Sequence, residues 1–80
     1  MSLNNYIVVF KSEKDHAEAT DDHISSLASK VESSGGSIKH RYEGRSLRGF
    51  AGSFSDDLKK ELESSDTVKY VEADGEVTTQ

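Results

Sequence analysis

Cysteine is absent from this chain of 80 residues, and no cluster of metal-ligating side chains takes its place. Without cysteine, neither a disulfide nor a thiolate metal site can form. The three histidines, His16, His23 and His40, are scattered, and none has a second ligand at a regular metal-binding spacing. The sequence therefore predicts a fold without covalent cross-links that needs no metal or other cofactor.

Long apolar runs are also missing, the longest being the five residues from Tyr6 to Phe10. A membrane-spanning helix needs about 20 predominantly apolar residues, so no membrane partner is expected. The segment from Met1 to Asn5 lacks the basic and apolar regions of a secretory signal. If this is the natural start of the protein, a cytoplasmic location is expected.

The chain has no excess of basic residues, since acidic residues outnumber basic ones 15 to 10 and the formal net charge is −5. A phosphate backbone attracts positive charge, so a nucleic acid partner is not expected, whereas a protein partner is compatible with this balance. The length predicts one domain, 1–80, of modest stability, because such a short chain buries only about 60% of its unfolded surface.

The first half of the chain predicts a strand, a helix and a second strand. Tyr6 to Phe10 is β-branched and aromatic, as in a buried central strand, and the polar residues 11–19 form a loop. Thr20 is placed to cap a helix that ends at the glycines 35 and 36. Apolar residues at helical spacing give that helix one core face, made of Ile24, Leu27, Ala28 and Val31.

The second strand shows alternation. This predicts that one face of the strand carries Ile38, His40 and Tyr42. The opposite face then carries Lys39, Arg41 and Glu43. Basic residues on the predicted edge strands disfavour pairing between copies, so a monomer is expected.

The second half predicts a strand, a helix and a last strand. Residues 47–54 form the third strand, in which Gly49 and Gly52 allow close approach of another backbone or helix. Ser55 caps a second helix with an apolar stripe of Leu58 and Leu62, and residues 68–71 make the last strand.

The predicted order of elements is β-α-β-β-α-β. Its simplest packing is an α+β, ferredoxin-like fold, with both helices on one face of a four-stranded antiparallel sheet and with the first and third strands in its centre. Because this fold supports many functions, the residues of the site must decide among them.

Two functions fit the sequence poorly. The run from Arg48 to Phe54 partly matches an RNA-recognition signature, but Gly52 stands at the second stacking position and the chain is acidic. An acylphosphatase-like hydrolase would need an arginine-rich anion cradle, which is not visible, and the serines have no catalytic motif around them. The chain is therefore not expected to be an enzyme.

The last nine residues, 72–80, have a distinctive composition. Val77, Thr78 and Thr79 are β-branched and favour the extended backbone that a protease cleft accepts, and Gln80 ends with a carboxylate where a scissile carbonyl would lie. The alternative is a frayed terminus, since the ends of most domains are disordered unless they are tied down.

Four segments carry a family resemblance, in this order along the chain: Tyr6–Lys11, Gly35–Ile38, Gly49–Gly52 and Val68–Asp74. Together they resemble the inhibitor family that includes the propeptides of subtilisin-like serine proteases and the small fungal intracellular inhibitors of these enzymes. The ending Val77-Thr78-Thr79-Gln80 is similar to that of a mushroom inhibitor in the family. The resemblance implies a competitive, product-like inhibitor whose partner is a subtilisin-like serine protease.

The resemblance also implies roles for individual residues. Glu72 and Asp74 would cap two surface helices of the protease, although solvated charge at a strand end is the alternative. Residues 75–80 would form an extended inhibitory tail in the cleft. There Val77 would fill an apolar pocket, Thr78 and Thr79 would pair as an added strand, and Gln80 would lie against the catalytic serine, as a polar residue where the enzymes often prefer an apolar one.

A second role exists within the same family. A propeptide assists the folding of its protease, in the same chain or in another one, and would serve as a folding chaperone. Since no protease domain follows Gln80 in this sequence, a standalone inhibitor is the expected function.

Overall fold

The computed structural model of the protein describes residues 3–44 and 47–73. It contains six elements, which are β1 (Asn4–Phe10), α1 (Asp21–Ser33), β2 (Ser37–Glu43), β3 (Arg48–Phe54), α2 (Asp56–Glu63) and β4 (Val68–Ala73). Their order is the predicted one. No helix in the described ranges is both long enough and apolar enough to cross a membrane.

The four strands form one antiparallel sheet in the order β2-β3-β1-β4. Strands β1 and β3 are central, and β2 and β4 lie at the edges. Both helices contribute to a core on one side of the sheet. The predicted ferredoxin-like α+β fold is confirmed.

The core lies between the sheet and the helices. Val8 and Phe50 are opposite each other in the β1–β3 pairing, and both side chains are fully buried. The rings of Tyr6 and Phe54 lie with their centroids 4.9 Å apart. The helices contribute the buried side chains Ile24, Ala28, Val31, Leu58 and Leu62.

The helix termini follow the predicted pattern. The Thr20 side chain accepts a hydrogen bond from the His23 amide at 3.1 Å, and the Ser55 side chain accepts one from the Leu58 amide at 3.3 Å. These caps satisfy amides that a helix start leaves without a partner. Gly35 follows α1 with a φ of +94°, a conformation that glycine adopts at little steric cost.

Gly49 brings β1 and β3 close together, as predicted. Its φ is +152°, and a Cβ atom at this position would overlap the carbonyl oxygen of Val8. A Cβ atom at Gly52 would overlap the Ser37 carbonyl oxygen in the same way. Both glycines therefore allow a backbone approach that no larger residue permits.

The predicted alternation of β2 is wrong at its start, because a bulge interrupts the strand at Lys39, whereas His40 and Tyr42 share one face as predicted. Ile38 lies opposite Gly52, but His40 lies opposite Ala51, so Lys39 is an extra residue. A β-bulge of this kind reverses the face on which each following side chain lies.

The residues beyond the bulge show the consequence. Arg41 lies opposite the buried Phe50 on the helix side and donates a hydrogen bond to the Ser25 hydroxyl of α1 at 3.1 Å. His40 and Tyr42 are on the opposite side, where their rings stack with centroids 5.9 Å apart. Ile38 therefore does not share a face with His40 and Tyr42.

Candidate functional site

The side of the sheet that carries no helix presents a continuous surface, which we call the open face. Strand registers place on it the side chains that alternate with the core residues. They are Asn5, Ile7 and Val9 of β1, His40 and Tyr42 of β2, Gly49, Ala51 and Ser53 of β3, and Tyr70 and Glu72 of β4.

The open face is low in the middle and high at its sides. Gly49 and Ala51 supply little or no side chain in the centre, and the large rings of Tyr42 and Tyr70 are on the two edge strands. Tyr70 is 45% exposed, and it lies opposite Val9, which is only 4% exposed. The arrangement is a shallow apolar trough with aromatic sides.

Glu72 is the one predicted site residue within the described part of the chain. It lies on the edge strand β4, directly opposite Ile7, and it is exposed on the open face. The other predicted site residues, Asp74, Val77, Thr78, Thr79 and Gln80, lie outside the described residues. The strand therefore fixes the direction of one carboxylate beside the apolar trough.

Charge is divided unevenly between the two layers. The helices carry seven acidic and three basic residues. The strands carry four basic and two acidic residues. Most of the acidic excess of the described elements is therefore on the helix layer, away from the open face.

A polar cluster joins the first strand to the second helix. The Tyr6 hydroxyl donates a hydrogen bond to the Asp56 carboxylate, and the Asn4 side-chain amide donates another to it at 3.1 Å. These bonds, the one from Tyr6 above all, lower the pKa of Asp56 below its usual value of 3.8. The same hydrogen bond raises the pKa of Tyr6 above 10.0. The cluster lies on the helix side and fixes β1 against α2.

The three histidines occupy separate environments. His23 lies with Nε2 2.7 Å from the Thr67 hydroxyl and meets the Phe10 ring edge-on, and His40 belongs to the open face. The Nδ1 atom of His16 accepts a hydrogen bond from the Glu18 amide at 3.3 Å. Among the described residues, no group of three acidic or histidine side chains converges as metal ligands would.

The orientation of the β3 aromatics opposes RNA binding. Phe50 and Phe54, the aromatic residues of the partial RNA-recognition signature, are 0% and 1% exposed and pack beneath the helices. RNA-recognition modules stack bases on aromatic side chains of their sheet. Phe50 and Phe54 belong to the core here, so the match to the signature reflects the packing of β3 against the helices.

Sequence reasoning did not identify the apolar trough. The uninterrupted apolar run Tyr6–Phe10 could have indicated the trough. A strand with apolar residues on both faces has a second apolar surface besides the one that packs in the core. Ile7 and Val9 alternate with the core residues of β1 and form the floor of the trough together with Ala51.

Comparison with known proteins yields one family. The family model described as peptidase inhibitor I9 matches residues 5–80. The match includes β1 from its second residue, the other three strands, both helices and the segment that follows β4. No curated protein matches the chain.

Proposed function

Because the chain belongs to the peptidase inhibitor I9 family, we propose that it is a competitive, product-like inhibitor of subtilisin-like serine proteases. The observation that carries this proposal is the extent of the family match, which continues to residue 80. The segment proposed to enter the cleft therefore lies inside the inhibitor domain. The last four residues of the sequence, Val77 to Gln80, also support a closer resemblance to the mushroom inhibitors within the family.

The open face is the proposed docking surface for the body of the protease. Protein interfaces are enriched in aromatic residues around a desolvated centre, and Tyr42 and Tyr70 flank such a centre here. The half-buried Ile7 offers apolar area that no helix of this chain covers, and the buried Val9 lies next to it on the same face. The shallow trough between the tyrosines suits a convex element such as a surface helix.

Glu72 and Asp74 are proposed to bind the N-termini of helices on the protease. The first amides of a helix lack intrahelical partners and carry partial positive charge, so a carboxylate is favoured there. Support comes from the position of Glu72, which is exposed beside the trough on an edge strand.

The tail 75–80 is proposed to lie in the active-site cleft as a product does. Val77 fills an apolar subsite, and the backbones of Thr78 and Thr79 pair with the cleft as an added strand. Gln80 then lies against the catalytic serine and the oxyanion hole. The β-branched residues of the tail favour the extended backbone that this requires.

The link between the open face and the tail in one chain makes the complex tight. Once the open face is docked, the tail binds as an intramolecular group at high effective concentration. The tail peptide alone is expected to inhibit far more weakly than the whole chain, because its binding must oppose a full loss of translational and rotational freedom.

Titration against a subtilisin-type protease with a chromogenic substrate tests the function. We expect inhibition that is overcome by excess substrate, with an unchanged maximal rate. Chymotrypsin, a serine protease of unrelated fold, is the control and should be unaffected at the same concentrations. Full activity of the subtilisin-type enzyme at micromolar inhibitor would overturn the proposal.

The same surface would also serve a folding chaperone. The family that the chain resembles includes propeptides of subtilisin-like proteases. A preformed open face can act as a template for the protease helices that pack on it. Refolding of a denatured subtilisin-type protease domain with and without the chain separates the two roles. An increase in recovered activity after the inhibitor is removed would establish the chaperone role.

A further inference from the structure

A pocket opens where β1 ends and β4 begins. Its volume is about 210 Å³, and it is lined by Val9, Phe10, Lys11, Ser12, Asp15, Arg48 and Lys69. The pocket lies at the start of β4, and none of the residues that line it belongs to the proposed inhibitory tail.

Three cationic side chains come to this pocket from three separate segments. In the β1–β4 pairing, Val9 lies opposite Tyr70 and Phe10 opposite Val68, so Lys69 is the extra residue of a bulge. Bulges redirect side chains at the ends of sheets. The Lys11 amide donates a hydrogen bond to the Thr67 carbonyl at 2.9 Å, which holds Lys11 beside the start of β4.

Arg48 is held rigidly in the wall of the pocket. Its guanidinium donates to the Lys11 carbonyl at 3.2 Å and to the Asp21 carboxylate at 2.9 Å, and its side chain is only 13% exposed. In the described part of the chain, the ammonium groups of Lys11 and Lys69 lie within ion-pair distance of no carboxylate. Lys11 and Lys69 thus bring to the pocket positive charge that no ion pair among the described residues neutralises.

Ser12 and Asp15 set a second requirement for a ligand of this pocket, besides negative charge. The Asp15 amide donates to the Ser12 carbonyl at 3.0 Å and to the Ser12 hydroxyl oxygen at 3.2 Å, so a tight turn holds both residues at the pocket. Asp15 brings a carboxylate that can only accept hydrogen bonds when it is ionised. A ligand that fits should therefore combine negative charge with a hydrogen-bond donor.

The size of the pocket restricts the ligand further. A single water needs a cavity of about 10–15 Å³, whereas sites for drug-sized ligands measure about 300–1,000 Å³. At about 210 Å³, this pocket suits a small polar group. Phosphate meets all three requirements, because at neutral pH it is an anion that retains at least one hydroxyl.

We propose that the pocket bounded by Lys11, Ser12, Asp15, Arg48 and Lys69 is a phosphate-binding site. The two lysines supply charge-assisted hydrogen bonds to the phosphate oxygens, the Arg48 guanidinium, paired with Asp21, forms a fixed wall of the site, and Asp15 accepts from the P–OH group. Sulfate has no such hydroxyl at neutral pH and is therefore disfavoured by Asp15. The ligand is therefore inorganic phosphate, because a phosphate monoester has a second pKa of about 6 and has largely lost its P–OH group at neutral pH.

Binding is measured by titrating the isotope-labelled chain with sodium phosphate at constant ionic strength and following its amide NMR signals. We expect saturable shifts centred on residues 9–12 and 69, with weaker binding of sulfate and none of chloride. Glycerol 3-phosphate, whose phosphoryl group has largely lost its hydroxyl at neutral pH, should also bind more weakly than inorganic phosphate. Shifts that do not saturate, or equal binding of sulfate, would overturn the proposal.

Two variants locate the site. Lys69→Gln should weaken phosphate binding about tenfold, the loss expected for one hydrogen bond to a charged group. Lys39→Gln removes the same charge from the bulge of β2, outside the pocket, and should leave the affinity unchanged. Equal losses in both variants would show a general charge effect and contradict the site. Since no protease is present, the result is independent of the inhibitor function.

Discussion

Glu72 lies directly opposite Ile7 in the β1–β4 pairing, so a charged residue of an edge strand shares the open face with an apolar residue of a central strand. Ile7 belongs to the floor of the trough, and Glu72 lies at its margin. A partner that packs on Ile7 therefore meets the carboxylate of Glu72 at the same time, which joins apolar contact to a directional polar one.

The first prediction concerns this carboxylate. Glu72→Gln keeps the shape of the side chain but removes its charge, so its interaction with a helix N-terminus weakens. At about 0.3–2 kcal/mol for such an interaction, the inhibition constant should rise about 2- to 30-fold. Glu32→Gln, an equal charge change on the helix layer, is the control. An unchanged constant for both Glu72→Gln and the double variant Glu72→Ala with Asp74→Ala would refute helix capping.

The second prediction concerns the tail. Deletion of Val77 to Gln80 should weaken inhibition by about a hundredfold or more, because the intramolecular cleft contact is lost. Circular dichroism should be unchanged, since the core consists of residues of the described body. Steady-state inhibition assays on both chains provide the comparison. If the shortened chain inhibits equally well, the tail does not enter the cleft.

The third prediction concerns the sides of the trough. Tyr70→Ala should weaken inhibition about tenfold, because exposed aromatic residues beside an apolar centre often dominate binding. At 45% exposure Tyr70 adds little to the core, so the melting temperature should change only slightly. Calorimetric binding and thermal melts of the same variant test both statements. Weakened binding with a collapsed melting temperature would instead indicate a structural role.

The fourth prediction concerns pH and the pair of Tyr6 and Asp56. The folded-state pKa of Asp56 is lowered, so its contribution to stability is present above the unfolded pKa, about 4, and is lost as pH falls through the folded value. The pKa of Tyr6 is raised, so its contribution is present below about 10 and is lost as pH rises through the folded value.

Tyr6→Phe tests this window. The variant should be less stable than the natural chain between about pH 5 and 9, and the difference should shrink toward both extremes. Urea unfolding at a series of pH values measures it. A difference that is independent of pH would mean that the hydroxyl contributes by packing alone.

The fifth prediction concerns Gly49. Gly49→Ala should destabilise the fold by at least about 2 kcal/mol, since its φ is positive and a Cβ atom would overlap the Val8 carbonyl. Because an unfolded inhibitor is a substrate, the variant should also be cleaved faster by the protease. Gly44→Ala is a matched control, where the nearest atom to the added Cβ is the Leu47 carbonyl oxygen at an ordinary 3.6 Å. Equal stability of the two variants would contradict the close approach.

Local chemistry explains why much of the fold was predictable. Thr20 and Ser55 are strong N-caps, and the spacing from Ile24 to Val31 matches one helix face, so the local sequence and the packing favour the same structure. The bulge at Lys39 was not predictable, because it depends on a partner strand distant in sequence. The backbone of β2 closes on Gly52, which offers no side chain to keep the strands in simple register.

The site was predictable only where a short segment of sequence resembles the family. Glu72 was identified through the family resemblance of the segment Val68–Asp74, and the structure places it on the open face. Tyr42 was assigned to the same face as Ile38, since alternation cannot reveal a bulge. Val9 was attributed to a buried strand, which is correct, but its direction requires the register with Gly49 and Tyr70.

The uneven division of charge also affects how the protein meets a partner. With seven acidic residues on the helices and only two on the strands, the described elements contribute an electric dipole moment across the two layers. In the field of a partner with negative surface potential, the molecule rotates its sheet toward that partner before they touch. Such steering acts on the association rate and weakens as ionic strength rises. The helix layer, which makes no contact in the proposed complex, thereby helps to decide which side of the inhibitor arrives first.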